Sequence, residues 1–373
     1  MGGAMCRGHL YRAKRLLSNQ EEKVPQGRIY LDHAATTPVL PVAQAAMADA
    51  LAAWANPSSP HADGRAAKAK LEEARTRIAR ALGWTGKVLF TSGASEALAI
   101  ALQRAKTGPR YVSAVEHDAV TRAAPTAVRL PVGRDGLVDL ALLEGERPLV
   151  AVQHANNETG VVQPLGRIAE EVRARGGLLL ADCAQTAGKR PLPDADFIAL
   201  SAHKFGGPPG AGALLVRDVG ELEAVGGQEQ GYRPGTENLP AILAMAAALE
   251  AGHGWLDQAT VLRERLEAAL VDAGAEIVSG DGERIATIGA YRMPGVPANA
   301  QLIQFDMAGI AVSAGSACSS GSLKPSHVLA AMGWDEAAAR EVVRVSFGPS
   351  TIAAEVDRFA ALWTEMKAKR RAA

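Results

Sequence analysis

From Val88 onward, short and wholly apolar runs alternate with longer, alanine-rich amphipathic stretches. The apolar runs predict strands, and stretches such as 95–105 and 166–175 between them predict helices. Strands that are apolar on both faces and separated by helices are typical of a parallel sheet with helices on both sides. We therefore expect an α/β fold with strands at 87–91, 110–114, 148–153, 178–181, 197–201 and 213–217.

The last third of the chain alternates differently. A long helical stretch is predicted from Leu239 through 261–274, and short strands and a final helix follow it. These strands are predicted at 284–292, 310–312 and 342–347, and the helix at 353–369. The mixture predicts a smaller α+β unit, beside which residues 30–51 are expected to pack. We expect an N-terminal extension at 1–28, a large domain at 29–255 and a small domain at 256–373.

The composition narrows the classes of partner. The 373 residues include 40 Lys and Arg and 40 Asp and Glu, so the formal net charge is zero and no overall basic field favours nucleic acid. No apolar run approaches the roughly 20 residues that span a bilayer. Three scattered cysteines suit a reducing compartment and leave room for one reactive thiol. We expect a cytoplasmic protein that binds neither nucleic acid nor membrane.

Two polar clusters follow apolar strands of the predicted sheet. Asp182 directly follows 178–181, and Lys204 comes just after 197–201 with glycines behind it. Ligands of open α/β sheets bind at the carboxyl ends of strands, where both residues fall. Pyridoxal 5′-phosphate (PLP) requires a carboxylate at its ring nitrogen and a lysine amine that holds it as an imine. Either residue alone fits a surface lysine or a turn cap, but the ordered pair predicts a PLP site.

A third segment offers a place for the cofactor's phosphate. Ala94 and Ser95, in FTSGASEAL, open a helix directly after a strand. The N–H groups at a helix N-terminus bind phosphate well. N-capping alone would explain this segment, but together with Lys204 it predicts a phosphate site that Ser201 and His203 can also reach.

Two more polar residues follow apolar strands. A lone histidine is more often structural than functional, but at a strand end of this sheet His117 can stack on the cofactor ring and exchange protons near pH 7. Asn157, in QHANNETG, can hydrogen-bond a ring hydroxyl or a substrate carboxylate. Both are therefore candidate site residues.

The cysteines have different surroundings. Cys183 lies between apolar strand residues and Ala184, which suits a small buried hydrophobe. Cys318 lies among Gly, Ser and Ala in SAGSACSSGSLKPSHVL, which predicts a flexible loop. A thiolate on such a loop suits a nucleophile that must reach two places. We predict that Cys318 is the nucleophile and that Cys183 is structural.

From about Ile29 to the C-terminal helix, the chain resembles the cysteine desulfurases of the class V aminotransferase group, which are fold type I PLP-dependent enzymes. The number and order of the matches are specific for this superfamily, and the motif around Cys318 points to the desulfurases. The resemblance implies a mostly parallel seven-stranded sheet between helices, plus a small α+β domain. The matching motifs are YLDHAATTP, NPSSPHADGR, FTSGASEAL, EHDAV, HANNETG, ADCAQTAG, SAHKFGGPPGAGAL, GYRPGTEN, SAGSACSSG and VRVSFG.

The resemblance also implies residue roles. Lys204 would hold PLP covalently, and Asp182 would pair with its ring nitrogen. Gln185 would bind the ring hydroxyl, and His117 would stack on the ring. The phosphate would be bound by Ala94, Ser95, Ser201 and His203.

Further implied roles concern the substrate and the partner subunit. Arg344 and Asn157 would hold the substrate carboxylate, for which the planar guanidinium fork of arginine is well suited. Thr236 would reach the phosphate bound by the partner subunit, so the resemblance implies a homodimer. It implies no metal.

The implied activity is the conversion of L-cysteine to L-alanine, with a persulfide formed on Cys318 and passed to an acceptor such as an iron–sulfur scaffold protein. A class V aminotransferase or a selenocysteine lyase on the same scaffold is the alternative enzyme, and Cys318 distinguishes the desulfurase from it. A non-catalytic sulfur-transfer protein is the alternative of another class. The presence of both Lys204 and Asp182 argues against it.

Overall fold

The computed structural model describes residues 27–252, 254–315 and 325–372, with side chains to Lys369. None of the helices in these residues is both long enough and apolar enough to cross a membrane. The strands are β1 (Ile29–Tyr30), β2 (Lys87–Thr91), β3 (Arg110–Ser113), β4 (Val128–Leu130), β5 (Leu149–Gln153), β6 (Leu178–Asp182), β7 (Phe197–Ser201), β8 (Gly212–Val216), β9 (Glu276–Ile277), β10 (Ile288–Arg292), β11 (Ile310–Ala311) and β12 (Val342–Ser346).

Helices connect most of these strands. The α-helices are Pro41–Ala52, Ala62–Leu82, Ala94–Arg104, Asp118–Ala123, Leu165–Arg173, Leu239–Glu250, Leu256–Asp272, Ala298–Met307, His327–Ala331, Glu336–Ala339 and Ala353–Ala372. Short 3₁₀ turns occur at Ala202–Lys204, Val219–Glu221 and Glu229–Gly231.

The central sheet has seven strands in the order β2-β8-β7-β6-β5-β3-β4. All run in one direction except β8, which is antiparallel to both of its neighbours. The chain between Ser201 and Gly212 is too short for a crossover helix, so β8 returns antiparallel to β7. The mostly parallel seven-stranded sheet is thus confirmed. The six predicted strands are present within one residue at each end, and β4 was not predicted.

Helices cover both faces of the sheet. Along β2, Val88 and Phe90 join the apolar cluster that contains helix Leu239–Glu250, whereas Leu89 joins the cluster of helix Ala94–Arg104. Successive side chains of a strand point to opposite faces, so a wholly apolar strand contributes to two cores. Burial on both faces fixes the position of each strand, and so the position of its end, relative to the helices.

A third apolar cluster joins the last third of the chain to its start. Strand β10 lies between β12 and β9 in an antiparallel sheet, and β1 pairs in parallel with β11. Phe305 and Phe359 stack in this cluster with ring centroids 4.5 Å apart. Tyr30 pairs with this part of the chain through β1 and β11, as expected. Helix Pro41–Ala52 packs instead on helix Leu239–Glu250, because its buried Ala43 belongs to the core of the large sheet.

Two other predictions about the last third were wrong. The long helix from Leu239 is two helices, and Gly252 between them has a φ of 80°, which ends a right-handed helix. The predicted strand 284–292 begins only at Ile288, since the backbones of Arg284 and Ile285 pair instead with Val161 and Gly160.

Candidate active site

A cavity of about 480 Å³ lies at the carboxyl ends of the parallel strands. Thr236 is exposed and does not line it. Cys318 lies outside the described residues. The other ten site residues predicted from the sequence all line the cavity: Ala94, Ser95, His117, Asn157, Asp182, Gln185, Ser201, His203, Lys204 and Arg344.

Lys204 ends the 3₁₀ turn that follows β7. Its Nζ donates hydrogen bonds to the carbonyl oxygens of Ala34 (2.7 Å) and Ala35 (2.8 Å). The hydroxyl of Thr37 donates to the carbonyl oxygen of Lys204 at 3.2 Å. The segment that follows β1 therefore holds the lysine at both its main chain and its amine.

Asp182 is the last residue of β6 and is buried. Its Oδ1 accepts the N–H of Ala184 at 2.9 Å. Burial raises the pKa of Asp182, while that N–H and the charges of His117 and Lys204 act to lower it. Burial outweighs these contributions, so the pKa of Asp182 lies above its ordinary value, and a protonated ring nitrogen beside it would stabilise the carboxylate.

Gln185 and His117 line the same cavity as this carboxyl. Gln185 donates its amide N–H to the carbonyl oxygen of Ala34 at 3.0 Å, and its buried Oε1 has no hydrogen-bond partner among the described residues. His117 caps the helix Asp118–Ala123, because its Nδ1 accepts the N–H of Ala119 at 3.1 Å. A neutral His117 therefore carries its proton on Nε2.

The predicted phosphate cradle is the start of helix Ala94–Arg104, and no side chain caps this helix. The first N–H groups of a helix have no intrahelical acceptor, so they are available to an anion. Glu96 in the first turn accepts the N–H of Ser92 and pairs with Arg233 at 2.8 Å. Burial acts to raise the pKa of Glu96, but these two donors hold it below its usual range.

His203 lies beside this cradle and hydrogen-bonds the hydroxyl of Thr36 through Nδ1 at 3.1 Å. Burial, followed by the charge of Lys204, lowers the pKa of His203 to about 4. The imidazole is therefore neutral at pH 7 and can act only as a dipolar hydrogen-bonding group.

Arg344 in β12 contributes a buried guanidinium to the cavity wall. Its Nη1 donates to the carbonyl oxygen of Asn157 at 2.9 Å, and its Nη2 donates to Asp32 at 2.7 Å. The Nε of Arg344 is buried and has no hydrogen-bond partner in the described part of the chain. An incoming carboxylate would satisfy this donor.

Comparison with known proteins identifies the family. Residues 29–359 match aminotransferase class-V. A cysteine desulfurase of Cereibacter sphaeroides is 36% identical over 361 residues, which cover 89% of this chain and 93% of that protein. The chain belongs to the cysteine desulfurases of the class-V aminotransferase family. This membership confirms the resemblance seen in the motifs, and it does not favour the aminotransferase or selenocysteine lyase alternatives.

Solved structures of related proteins share the fold. A NifS-like protein from Rickettsia africae has a TM-score of 0.84 and 30% identity, with coverage of 91% of this desulfurase and 99% of that chain. SspA, solved in complex with cysteine, has a TM-score of 0.75 and 29% identity and covers 87% of this chain and 100% of its own.

The cavity of this desulfurase fits PLP by the chemistry of its walls. The uncapped helix N-terminus suits a phosphate, and Asp182 suits a ring nitrogen. The orphan Oε1 of Gln185 is a buried acceptor in need of a donor such as a ring hydroxyl. Lys204 is the amine within the same cavity.

Three contributions to the site were not predicted from the sequence. The carbonyl oxygens of Ala34 and Ala35 hold Lys204, Asp32 holds Arg344, and His327 lines the cavity. The motif YLDHAATTP contains the first two contributions but gives no local sign of what they bind.

The prediction for Cys183 is confirmed. This thiol is fully buried, and burial raises its pKa, so it is not a thiolate at neutral pH.

Proposed function

We propose that the protein binds PLP covalently through Lys204, converts L-cysteine to L-alanine and transfers the sulfur to Cys318. The observation that carries this proposal is that Lys204 and Asp182 share one cavity with an uncapped helix N-terminus and with an arginine that retains a buried, unpaired N–H. The curated relatives that are cysteine desulfurases support it, as does the related SspA in complex with cysteine.

Different residues would bind three groups of the cofactor: the ring nitrogen, the ring hydroxyl and the phosphate. Asp182 would hold the proton of the ring nitrogen, and Gln185 would bind the ring hydroxyl. The N–H groups of Ala94 and Ser95 would bind the phosphate, with Ser201 and His203 beside them. When bound, PLP withdraws electrons from the α-carbon of an attached amino acid.

The substrate would be oriented by its carboxylate. The unpaired Nε of Arg344 lies in the wall formed with Asn157, and Asp32 prevents the guanidinium from turning away. A carboxylate held there leaves the amino group and the thiol of cysteine free to approach Lys204 and Cys318. Fixing the reactant in this way lowers the entropy cost of the reaction.

The proton and sulfur steps then fall to the protein's own side chains. The Lys204 amine, once released, would take the α-proton of the substrate, and His117 would exchange a proton through Nε2. The Cys318 thiolate would attack the substrate sulfur, so that an S–S bond forms as the Cβ–S bond breaks. The carbon fragment keeps the electron pair, takes up one proton at Cβ, regains the α-proton from Lys204 and leaves as alanine. Cys318 retains the sulfur as a persulfide.

The proposal is tested by mass measurement after incubation of the PLP-loaded protein with L-cysteine. The expected result is one added sulfur on the peptide that contains Cys318, together with an equal amount of alanine. Alanine formation without added sulfur on that peptide would overturn the assignment of Cys318 as the nucleophile. A protein that takes up no PLP absorbance would overturn the assignment of Lys204.

We further propose a cytoplasmic homodimer that passes its persulfide sulfur to an acceptor protein such as an iron–sulfur scaffold. The exposure of Thr236, outside its own cavity, supports the view that it binds the phosphate of the partner subunit. Light scattering tests the dimer, and Thr236→Val should weaken PLP affinity without changing the mass of the assembly. A tight monomeric holoenzyme would contradict the proposal.

A further inference from the structure

Glu116, the residue before His117, has an unusual environment for a carboxyl group. It is only 1% exposed. Its Oε1 accepts the main-chain N–H of Gln153 at 2.8 Å. Its Oε2 is buried without any hydrogen-bond partner, and no cationic side chain pairs with the carboxyl within the described part of the chain. A buried charge is normally retained only when it is paired, so this environment disfavours a carboxylate.

The carboxyl of Glu116 lies behind the floor of the cavity. Gln153 ends β5 and is the register partner of Asp182 at the end of the adjacent parallel strand β6. Both residues line the cavity. Glu116 therefore holds the strand end next to the one that carries Asp182, and two carboxyl groups stand close together in the core.

The surroundings of the two carboxyl groups decide which one keeps a proton. Burial raises the pKa of both. Asp182 also has the N–H of Ala184 and the charges of His117 and Lys204, which lower its pKa. Glu116 has only the N–H of Gln153 to lower its pKa, whereas the charge of Asp182 raises it further. Neighbouring carboxyl groups in unequal environments ionise one at a time, and here Asp182 ionises first.

We propose that Glu116 stays protonated in the native enzyme and acts as a positioning residue, fixing Gln153 at the cavity floor and leaving Asp182 to carry the negative charge there. An ionised Glu116 would put an unpaired charge in the core and a second negative charge behind Asp182. The carbonyl oxygen of Glu116 also accepts Nε2–H of His327 at 2.9 Å, so its position affects the cavity wall as well. The inference rests on the proposed function only in the role of Asp182 toward PLP.

Infrared difference spectroscopy tests the proton directly. Spectra of the wild type minus Glu116→Gln are recorded without and with PLP, between about pH 6 and about pH 9. The expected result is the C=O stretch of a protonated carboxylic acid in the wild type that the variant lacks, at every pH in this range. A difference spectrum that contains only carboxylate bands would overturn the proposal. Because the apoprotein suffices, this result does not depend on desulfurase activity.

Rescue by an isosteric neutral side chain tests the positioning role. Glu116→Gln keeps the acceptor for Gln153 and the absence of charge, so PLP uptake and kcat/KM for cysteine should stay within about twofold of the wild type. Glu116→Ala removes the acceptor and should lower kcat/KM by about tenfold or more. If Glu116→Gln is as impaired as Glu116→Ala, the charge is needed and the proposal fails. Should Glu116→Ala not fold, the glutamine variant and the infrared band still decide.

Discussion

The guanidinium of Arg344 donates a 2.7 Å hydrogen bond to Asp32, a residue near the other end of the described chain. Asp32 follows β1, and Arg344 lies in β12, so the ion pair joins the first and the last strands of the described residues. The side chain of Arg344 is 6% exposed and that of Asp32 is 20% exposed. The arginine is therefore fixed before any substrate arrives, and it lines the cavity.

Arg344→Lys should raise KM for cysteine by about 10- to 100-fold, because lysine keeps the charge but loses the fork and the unpaired Nε. PLP absorbance should not change. Steady-state kinetics with varied cysteine measures the effect. Arg340→Lys, which alters an exposed pair with Glu336, is the control. An unchanged KM would remove Arg344 from the substrate site.

Cys318→Ser should keep PLP absorbance and lower alanine formation by at least about 100-fold, since the hydroxyl is a far weaker nucleophile than a thiolate. Cys183→Ala is the matched control and should keep full turnover, because Cys183 is a buried thiol outside the cavity lining. Alanine is measured by chromatography. Normal alanine formation by Cys318→Ser would rule out the persulfide mechanism.

Lys189 is 8% exposed, and burial, followed by the charge of Lys204, lowers its pKa from 10.5 to about 7. Between these pH values the unfolded chain binds a proton that the folded chain does not, so stability rises with pH, by up to about 1.4 kcal/mol per unit. Below pH 7 both states are protonated, and the folded protein bears the full cost of the buried charge.

Lys189→Met removes this dependence. The gain in stability over the wild type should be largest below pH 7 and should shrink toward pH 10, as measured by urea unfolding across that range. Exposed Lys68→Met serves as the control. A constant difference at all pH values would show that Lys189 affects stability through packing alone.

Gly212 begins β8 where three backbones meet. A Cβ there would lie 2.5 Å from both the Cα of Gly93 and the carbonyl oxygen of Leu200. Gly212→Ala should therefore cost about 1–3 kcal/mol of stability, and it should weaken PLP binding because Gly93 precedes the phosphate cradle. Thermal unfolding and PLP titration measure both effects. Gly227→Ala, where a Cβ meets nothing within 4 Å, should change neither.

The strand ends could be predicted from sequence because the apolar runs of the sheet stop at polar residues, as Ala181 gives way to Asp182 and Leu200 gives way to Ser201. Those ends place most of the cavity wall. The partners of the wall residues could not be predicted. Ala34 meets Lys204, and Asp32 meets Arg344, only after the two ends of the chain have paired.

The ionisation state of Glu116 also could not be predicted from the sequence. Its motif, EHDAV, predicts a role for the histidine but none for the glutamate. From sequence alone, a glutamate is expected to be exposed and charged. The burial of Glu116 depends on how β3 and β5 pair, which the sequence does not show. Ionisation is thus a property of the packed molecule rather than of the motif.

Because Cys183 is buried, its rate of alkylation can measure local opening of the structure. Its sulfur lies directly after β6 and is buried, so a thiol reagent can reach it only when the packing around the end of that strand opens. The rate at which this one residue is alkylated therefore reports the free energy of that opening. Comparing the alkylation rate with and without bound PLP would show how much cofactor binding raises the free energy of that opening.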